Sequence, residues 1–324
     1  MKDILGIHHV TAIASNPQKN IDFYSSLLGL RLVKLTVNFD DPTTYHLYYG
    51  DEIGHPGTIL TFFPWQDAPK GVHGTSQVIA TSFLIPENAT GYWTERLKKH
   101  HVAFQGPIAR FDEQVIAFHD PDGLALELVA HKSAREREDR VWKQGPVPAE
   151  QTIRGFYSVT LSEEGYERTA SVLTDKLGFS LLREENGRFR YTISGEGASS
   201  IVDLLCLPYS KRGRIGIGTV HHVAWRTPTD PQQEELRKSI VKAGLNATPV
   251  IDRKYFHSVY FREPGGILFE IATEPPGFMI DEKKEELGTH LVLPTWLETE
   301  RNNLERVLPP VKVGEKLVVG RLGV

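Results

Sequence analysis

The chain has 324 residues, 40% of them hydrophobic, and its charges nearly balance at a formal net −4. That length allows two domains with real cores, and a balanced charge without a basic stripe excludes nucleic acid as an expected partner. Cys206 is the only cysteine, which leaves no disulfide framework and no zinc–thiolate site. The start, MKDILGIHHV, runs straight into a strand with no apolar leader, and no stretch is long enough to span a membrane. A soluble, cytoplasmic protein is the expectation.

Taken in order, the chain opens with the strand GIHHVTA. A helix follows, starting at Asn16-Pro17 and stopped by Gly29, and RLVKLTVNF, TYHLYYGD and TILTFFPW read as three more strands. This β-α-β-β-β unit spans residues 1–66 and recurs over 74–131, 152–208 and 216–274. Leu28-Gly29 in the first unit matches Leu177-Gly178 in the third. The run from Pro121 to Glu127 in the second matches Pro264 to Glu270 in the fourth. Residues 1–134 and 151–274 are thus expected as an N-terminal and a C-terminal pair of modules, joined by a charged, proline-bearing linker over 135–150. In the tail, 275–324, Trp296, Leu297 and Leu304 predict one amphipathic helix that packs over a domain or covers a site entrance. The expected fold class is α+β: four βαβββ modules forming two curved-sheet barrels, with a C-terminal helical tail.

Strand alternation selects candidate ligands. In VHHVAWR, His222 shares a face with Val220, Ala224 and Arg226, while His221 lies on the other. In ILFEIAT, Glu270 faces away from the apolar Ile267, Phe269 and Ile271. A carboxylate inside such a strand is costly unless it is paired or bound to a metal. Aligning the four first strands puts His9 opposite Ser158 of unit three, and His222 opposite Ala80 of unit two. Only the pairing of unit one with unit four assembles His9, His222 and Glu270, two imidazoles and a carboxylate of the kind that binds iron(II) with coordination positions open. Units two and three would bring together Ala80, Ser158 and Glu127, which makes no metal site, so Glu127 reads as structural or as a relic.

These residues carry a resemblance. The fourfold unit and the His…His…Glu set resemble the vicinal oxygen chelate superfamily of glyoxalases, bleomycin-resistance proteins and extradiol dioxygenases. Placing one ligand in the first unit and two in the fourth is similar to the hydroquinone ring-cleaving dioxygenase branch. In that branch each ligand histidine stands second in a His-His pair, as in His8-His9 and His221-His222. The resemblance implies a threonine beside the metal at Thr11, and an arginine and tyrosine for chemistry at Arg253 and Tyr260. The tail from Leu287 to Pro310 is also similar to that branch.

What the resemblance implies is an iron(II)-dependent, extradiol-type dioxygenase, with manganese(II) as the alternative metal. It would open a hydroquinone-type aromatic ring with O2. Tyr260 is the candidate acid or base, Arg253 the candidate for orienting an anion, and His8 and His221 further catalytic candidates despite facing away by alternation. Thr11 and His257 are candidates for binding substrate, and His46 is a lesser one for the pocket. Tyr260 and Arg253 can equally be read as a barrel-wall tyrosine and a surface arginine. A glyoxalase-like lyase or isomerase, and a protein that sequesters aromatics, are the competing functions. The first would want a second carboxylate where Leu60 and Thr61 stand. No membrane partner is expected, and self-association into a homo-oligomer is left open.

Overall fold

The protein is described by a computed structural model over residues 4–193 and 199–319; the ends of the expected first module and tail, 1–3 and 320–324, lie outside the described residues. Unit one comprises β1 (Ile7–Ala14), α1 (Pro17–Ile21) with a π-helical turn to Leu27, β2 (Arg31–Asn38), β3 (Asp41–Gly50) and β4 (Ile59–Pro64). Unit two follows with β5 (Gln77–Ile85), α2 (Thr90–Lys99), β6 (Phe104–Arg110), β7 (Glu113–His119) and β8 (Ala125–Ala130). Unit three has β9 (Phe156–Glu163), α3 (Glu167–Ser171) with a π turn to Lys176, β10 (Ser180–Glu185), β11 (Arg188–Thr192) and β12 (Ile201–Cys206). Unit four has β13 (Val220–Thr227), α4 (Asp230–Lys242), β14 (Ile251–Asp252), β15 (His257–Arg262) and β16 (Leu268–Thr273).

The helix ends follow local chemistry. Asn16 caps α1 by accepting from the Lys19 amide, and Thr229 caps α4 by accepting from Gln232. Both odd-unit helices widen into a π turn, and each stops at a glycine, Gly29 (φ +71°) and Gly178 (φ +74°). Only glycine takes that left-handed conformation at little cost.

The strands form two curved eight-stranded sheets. One runs β14-β15-β16-β13-β1-β4-β3-β2 and joins unit four to unit one; the other runs β10-β11-β12-β9-β5-β8-β7-β6 and joins unit three to unit two. The partners are therefore crossed in sequence, as the placement of the histidines and Glu270 predicts. One hydrophobic cluster underlies both sheets, with Trp93 of α2 and Trp225, Phe269 and Ile271 of unit four among its fully buried members. Burying an apolar side chain of this size contributes about 1.5–3 kcal/mol, so the apolar backs of β13 and β16 hold their opposite faces toward the concave side. No helix among the described residues is long and apolar enough to cross a membrane.

The tail carries the expected helix, a 3₁₀ turn over Thr295–Glu300 running on into α5 (Arg301–Val307), and adds a small hairpin in which β17 (Val311–Val313) pairs with β18 (Lys316–Val319). Leu304 is buried, whereas Trp296 is 58% exposed and stacks edge-on against Phe39. Buried Lys34 of β2 anchors the tail through ion pairs with Asp281 (2.6 Å) and Glu282.

Candidate metal centre

Two adjacent cross-strand rows build the site. In the first, Tyr260 lies opposite Glu270, Glu270 opposite Ala224, and Ala224 opposite His9. In the second, His222 lies opposite Thr11, Thr11 opposite Thr61, and Thr61 opposite Tyr48. Cross-strand neighbours share a face, so eight residues distant in sequence project into one concavity.

His9 Nε2 and His222 Nε2 are 3.2 Å apart, and Glu270 Oε2 lies 3.2 Å from the first and 3.0 Å from the second. All three residues are buried, Glu270 completely. Ser258 Oγ donates to Glu270 Oε1 at 2.5 Å, but Oε2 receives no well-aligned hydrogen bond despite its short contacts. Three lone-pair atoms turned toward one point, one of them an orphaned buried carboxylate oxygen, suit a cation better than one another. Their spacing fits one face of an octahedron, where bonds of about 2.1 Å put neighbouring donors about 3.0 Å apart. Burial alone would raise the Glu270 pKa, yet the proximity of His9 and His222 holds it well below the usual carboxylate range. Burial lowers that of His222, against the pull of Glu270. Among the described residues this is the group arranged to hold a metal.

The cleft beside the triad is lined by Thr11, His46, Tyr48, Phe63, Arg253 and Tyr260, with Asn38, Phe39, Asp40 and Phe256 also facing it. Its free volume is ≈ 40 Å³. Arg253 pairs there with exposed Asp40 at 2.9 Å, and its guanidinium lies 5.5 Å from the Tyr260 ring. Burial first, then Glu270, raises the Tyr260 pKa, so the phenol keeps its proton. Burial, then His9 and His222, keeps His46 well below the usual histidine range.

The expected site residues divide. His9, His222, Glu270, Thr11, Tyr260, Arg253 and His46 converge on the triad or cleft. His8 and His221 do not line it. Each sits behind a triad histidine, with Nδ1 of His8 2.9 Å from Nδ1 of His9, and Nδ1 of His221 2.8 Å from Nδ1 of His222. His257 is not brought to the cleft either. It falls one residue out of phase with Ser258 and Tyr260 and binds Asp230, at the start of α4, at 2.6 Å. Sequence reasoning missed Ser258 as a partner of Glu270, although alternation already puts it on the face of Tyr260. It also missed Tyr48 and Thr61, for which only the cross-strand rows give a signal, and Phe256 and Asp40, which reach the cleft from loops.

The second sheet repeats the register without the chemistry. Thr160 lies opposite Ala80, and Ser82 opposite both Ser158 and Glu127. Glu127 is held by Arg110 at 2.6 and 2.7 Å and by Ser82 at 2.7 Å, so its carboxylate is fully engaged.

Two curved sheets of two modules each, one with a buried His-His-Glu set, define a class, and the chain belongs to it: the Glyoxalase/Bleomycin resistance protein/Dioxygenase superfamily, whose family model matches residues 6–128 and 156–271. It is 47% identical over 314 residues to "Putative ring-cleaving dioxygenase MhqO" of Bacillus subtilis (strain 168), covering 97% of this chain and 99% of that one. It is 32% identical over 311 residues to chlorohydroquinone/hydroquinone 1,2-dioxygenase of Sphingobium indicum, covering 94% and 95%. A crystal structure from Bacillus subtilis, 46% identical, superposes with a TM-score of 0.91 over 98% of this chain and 100% of that one. Glyoxalase I from Zea mays, at 14% identity and a TM-score of 0.61 over 83% and 92%, shares the fold.

Proposed function

We propose that this chain is an iron(II)-dependent dioxygenase of extradiol type that opens a hydroquinone-type aromatic ring with O2, with manganese(II) the alternative metal. The observation that carries the reading is the convergence of His9 Nε2, His222 Nε2 and Glu270 Oε2 beside a cleft walled by phenylalanines. The names of relatives that match nearly the full chain support it. The unit-one position equivalent to Glu270 is Thr61, so the second carboxylate of a glyoxalase-like set is absent there.

His9, His222 and Glu270 would hold the metal. When bound, the metal supplies open positions for a ring oxygen and for dioxygen, and a path for electrons between them. The chain's own groups do the rest. Protonated Tyr260 offers an O–H to an oxygen of the bound ring or of its oxygenated product. The Arg253 cation balances a phenolate, exchanging Asp40 for the ligand. Phe39, Phe63 and Phe256 exclude water. His8 and His221 act as positioning residues. If Nε2 of each triad histidine faces the metal, its Nδ1–H donates backward and holds the ring's tautomer and tilt.

The test is metal content and oxygen uptake of the parent and of His9→Ala, His222→Ala and Glu270→Ala after anaerobic iron loading. Each variant is expected to stay folded while losing both iron and hydroquinone-dependent uptake. Stoichiometric iron and near-parental uptake in Glu270→Ala would reject the assignment.

A further inference from the structure

Two turns that carry opposite charges meet at the rim of the cleft. In unit one, β2 passes to β3 through Phe39-Asp40, and the Asn38 side chain closes that turn by accepting from the Asp40 amide at 3.0 Å. In unit four, the loop between β14 and β15 turns at Lys254 (φ +68°), whose amide donates to Asp252 at 2.6 Å. Their other charges find partners outside the cleft. Asp41 accepts from Thr43 and Thr44 at 2.7 and 2.9 Å, and Lys254 pairs with Asp281 of the tail. The pair of Arg253 Nη1 with Asp40 Oδ2, at 2.9 Å, instead joins unit four to unit one, and both residues line the cleft.

The two partners sit in unlike surroundings. The Arg253 side chain is 16% exposed and that of Asp40 is 70% exposed. Arg253 Nε is buried and has no hydrogen-bond partner, so the guanidinium has room for a further acceptor beside Asp40. A planar guanidinium is the side chain best suited to grip a carboxylate through two N–H groups. Apart from the triad, Arg253 and Asp40 are the charged pair among the described residues lining the cleft. Burial keeps His46 neutral and Tyr48 and Tyr260 protonated. The cation that a ligand carboxylate would seek is therefore already neutralised.

We propose that Asp40 is a specificity-determining residue that favours rings with uncharged substituents over rings that carry a carboxylate. The inference rests on the reading that the cleft takes a dihydroxylated ring. A single phenolate oxygen exchanges with Asp40, whose exposed carboxylate returns to water. A ring that also carries a carboxylate brings a second negative charge. Asp40, tethered on its turn, then stays nearby, and three negative groups share one guanidinium. Like charges so placed oppose binding and discriminate between ligands of the same shape. Water and salt reach Asp40 and weaken the repulsion, which sets the discrimination at about fivefold.

The probes are 2,5-dihydroxybenzoate and 2,5-dihydroxybenzamide, which match in size and differ by one charge at neutral pH. Their Kd values are measured by titration calorimetry on the full chain, iron-loaded and kept anaerobic, for the parent, Asp40→Asn and Asp41→Asn. Comparing the ratio of the two Kd values between proteins cancels every other difference between the probes. Asp40→Asn keeps the shape and removes the charge, and is expected to shift the ratio about fivefold toward the acid, less at high salt. Asp41→Asn removes a charge one position away, held by the two threonines, and is expected to leave the ratio at the parent's value. An unshifted ratio in Asp40→Asn, a shift toward the amide, or an equal shift in Asp41→Asn would each overturn the proposal. Binding of neither probe by the parent would overturn the reading of the cleft, and the proposal with it. A ratio that shifts as expected in a protein that takes up no oxygen with hydroquinone would instead overturn the dioxygenase reading and leave the selection by Asp40 standing.

Discussion

At the scale of single residues, Tyr260 separates holding a metal from doing chemistry. It lies opposite Glu270 and its ring centre is 5.6 Å from that of His222, yet it is not one of the three converging donors. Burial and the charge of Glu270 raise its pKa, so the phenol is protonated at neutral pH and has an O–H to offer as a hydrogen-bond donor. Tyr260→Phe is therefore expected to retain iron while turnover falls about 10²–10⁴-fold, the range for a positioned acid or base. Iron content and kcat measured on one preparation distinguish the roles, and an unchanged kcat would make Tyr260 a wall residue. Alternation in the sequence already aligned Tyr260 with Ser258, but not whether that face looked inward. The inward aim comes from pairing with β16, which no local pattern specifies.

At the scale of elements, the Pro-x-Gly turn of the even units is a docking device. Asp120 accepts from the amides of Asp122 and Leu124 and from the Tyr24 hydroxyl in the unit-one helix. Glu263 accepts from the amides of Gly265 and Ile267 and from the Thr169 hydroxyl in the unit-three helix. One carboxylate thus closes each turn and pins it to the helix of a unit in the other sheet. The middle residue then adapts: Asp122 binds the amide and hydroxyl of Ser15, whereas any side chain at Gly265 would strike the Glu163 carboxylate. Asp120→Ala and Glu263→Ala strand buried donors, so each is expected to cost about 1–3 kcal/mol in urea unfolding. Denaturation midpoints unchanged from the parent in both variants would contradict this.

At the scale of the whole molecule, the crossed pairing decides where function can reside. A fragment from about Gln144 onward would keep His222 and Glu270 but lack β1, and with it His9. It is expected to bind iron poorly and to consume no oxygen, and full activity from it would refute the crossed site. The pairing also sets a dependence on pH. Glu163, at the end of β9, is raised from 4.5 to about 8 by burial and then by the charge of Glu263, against the pull of Arg212. A raised carboxyl contributes stability that is fully present below its unfolded value of 4.5 and is lost as pH rises through about 8. Glu163→Gln should match the parent near the acid end of that window and be the more stable protein above it. Urea midpoints at both ends check the sign.

The amino-acid sequence by itself determined the fourfold unit, the glycine stops of the odd helices, the crossed partnership of units and the triad. All of these rest on short-range periodicity and on which repeats carry a histidine or a glutamate. Alternation placed His9, His222 and Glu270 correctly because one face of each strand is apolar enough to be buried without ambiguity. It also turned His8 and His221 to the opposite face, and His257 was a pocket candidate against it, since a one-residue change of phase from Ser258 and Tyr260 turns a side chain away. Only the tertiary structure put Asp40 on Arg253, Trp296 on Phe39, and Thr61 between His46 and Thr11. Those contacts join residues from separate strands, or from the tail, whose approach is set by sheet curvature and packing, and no spacing along the chain encodes either.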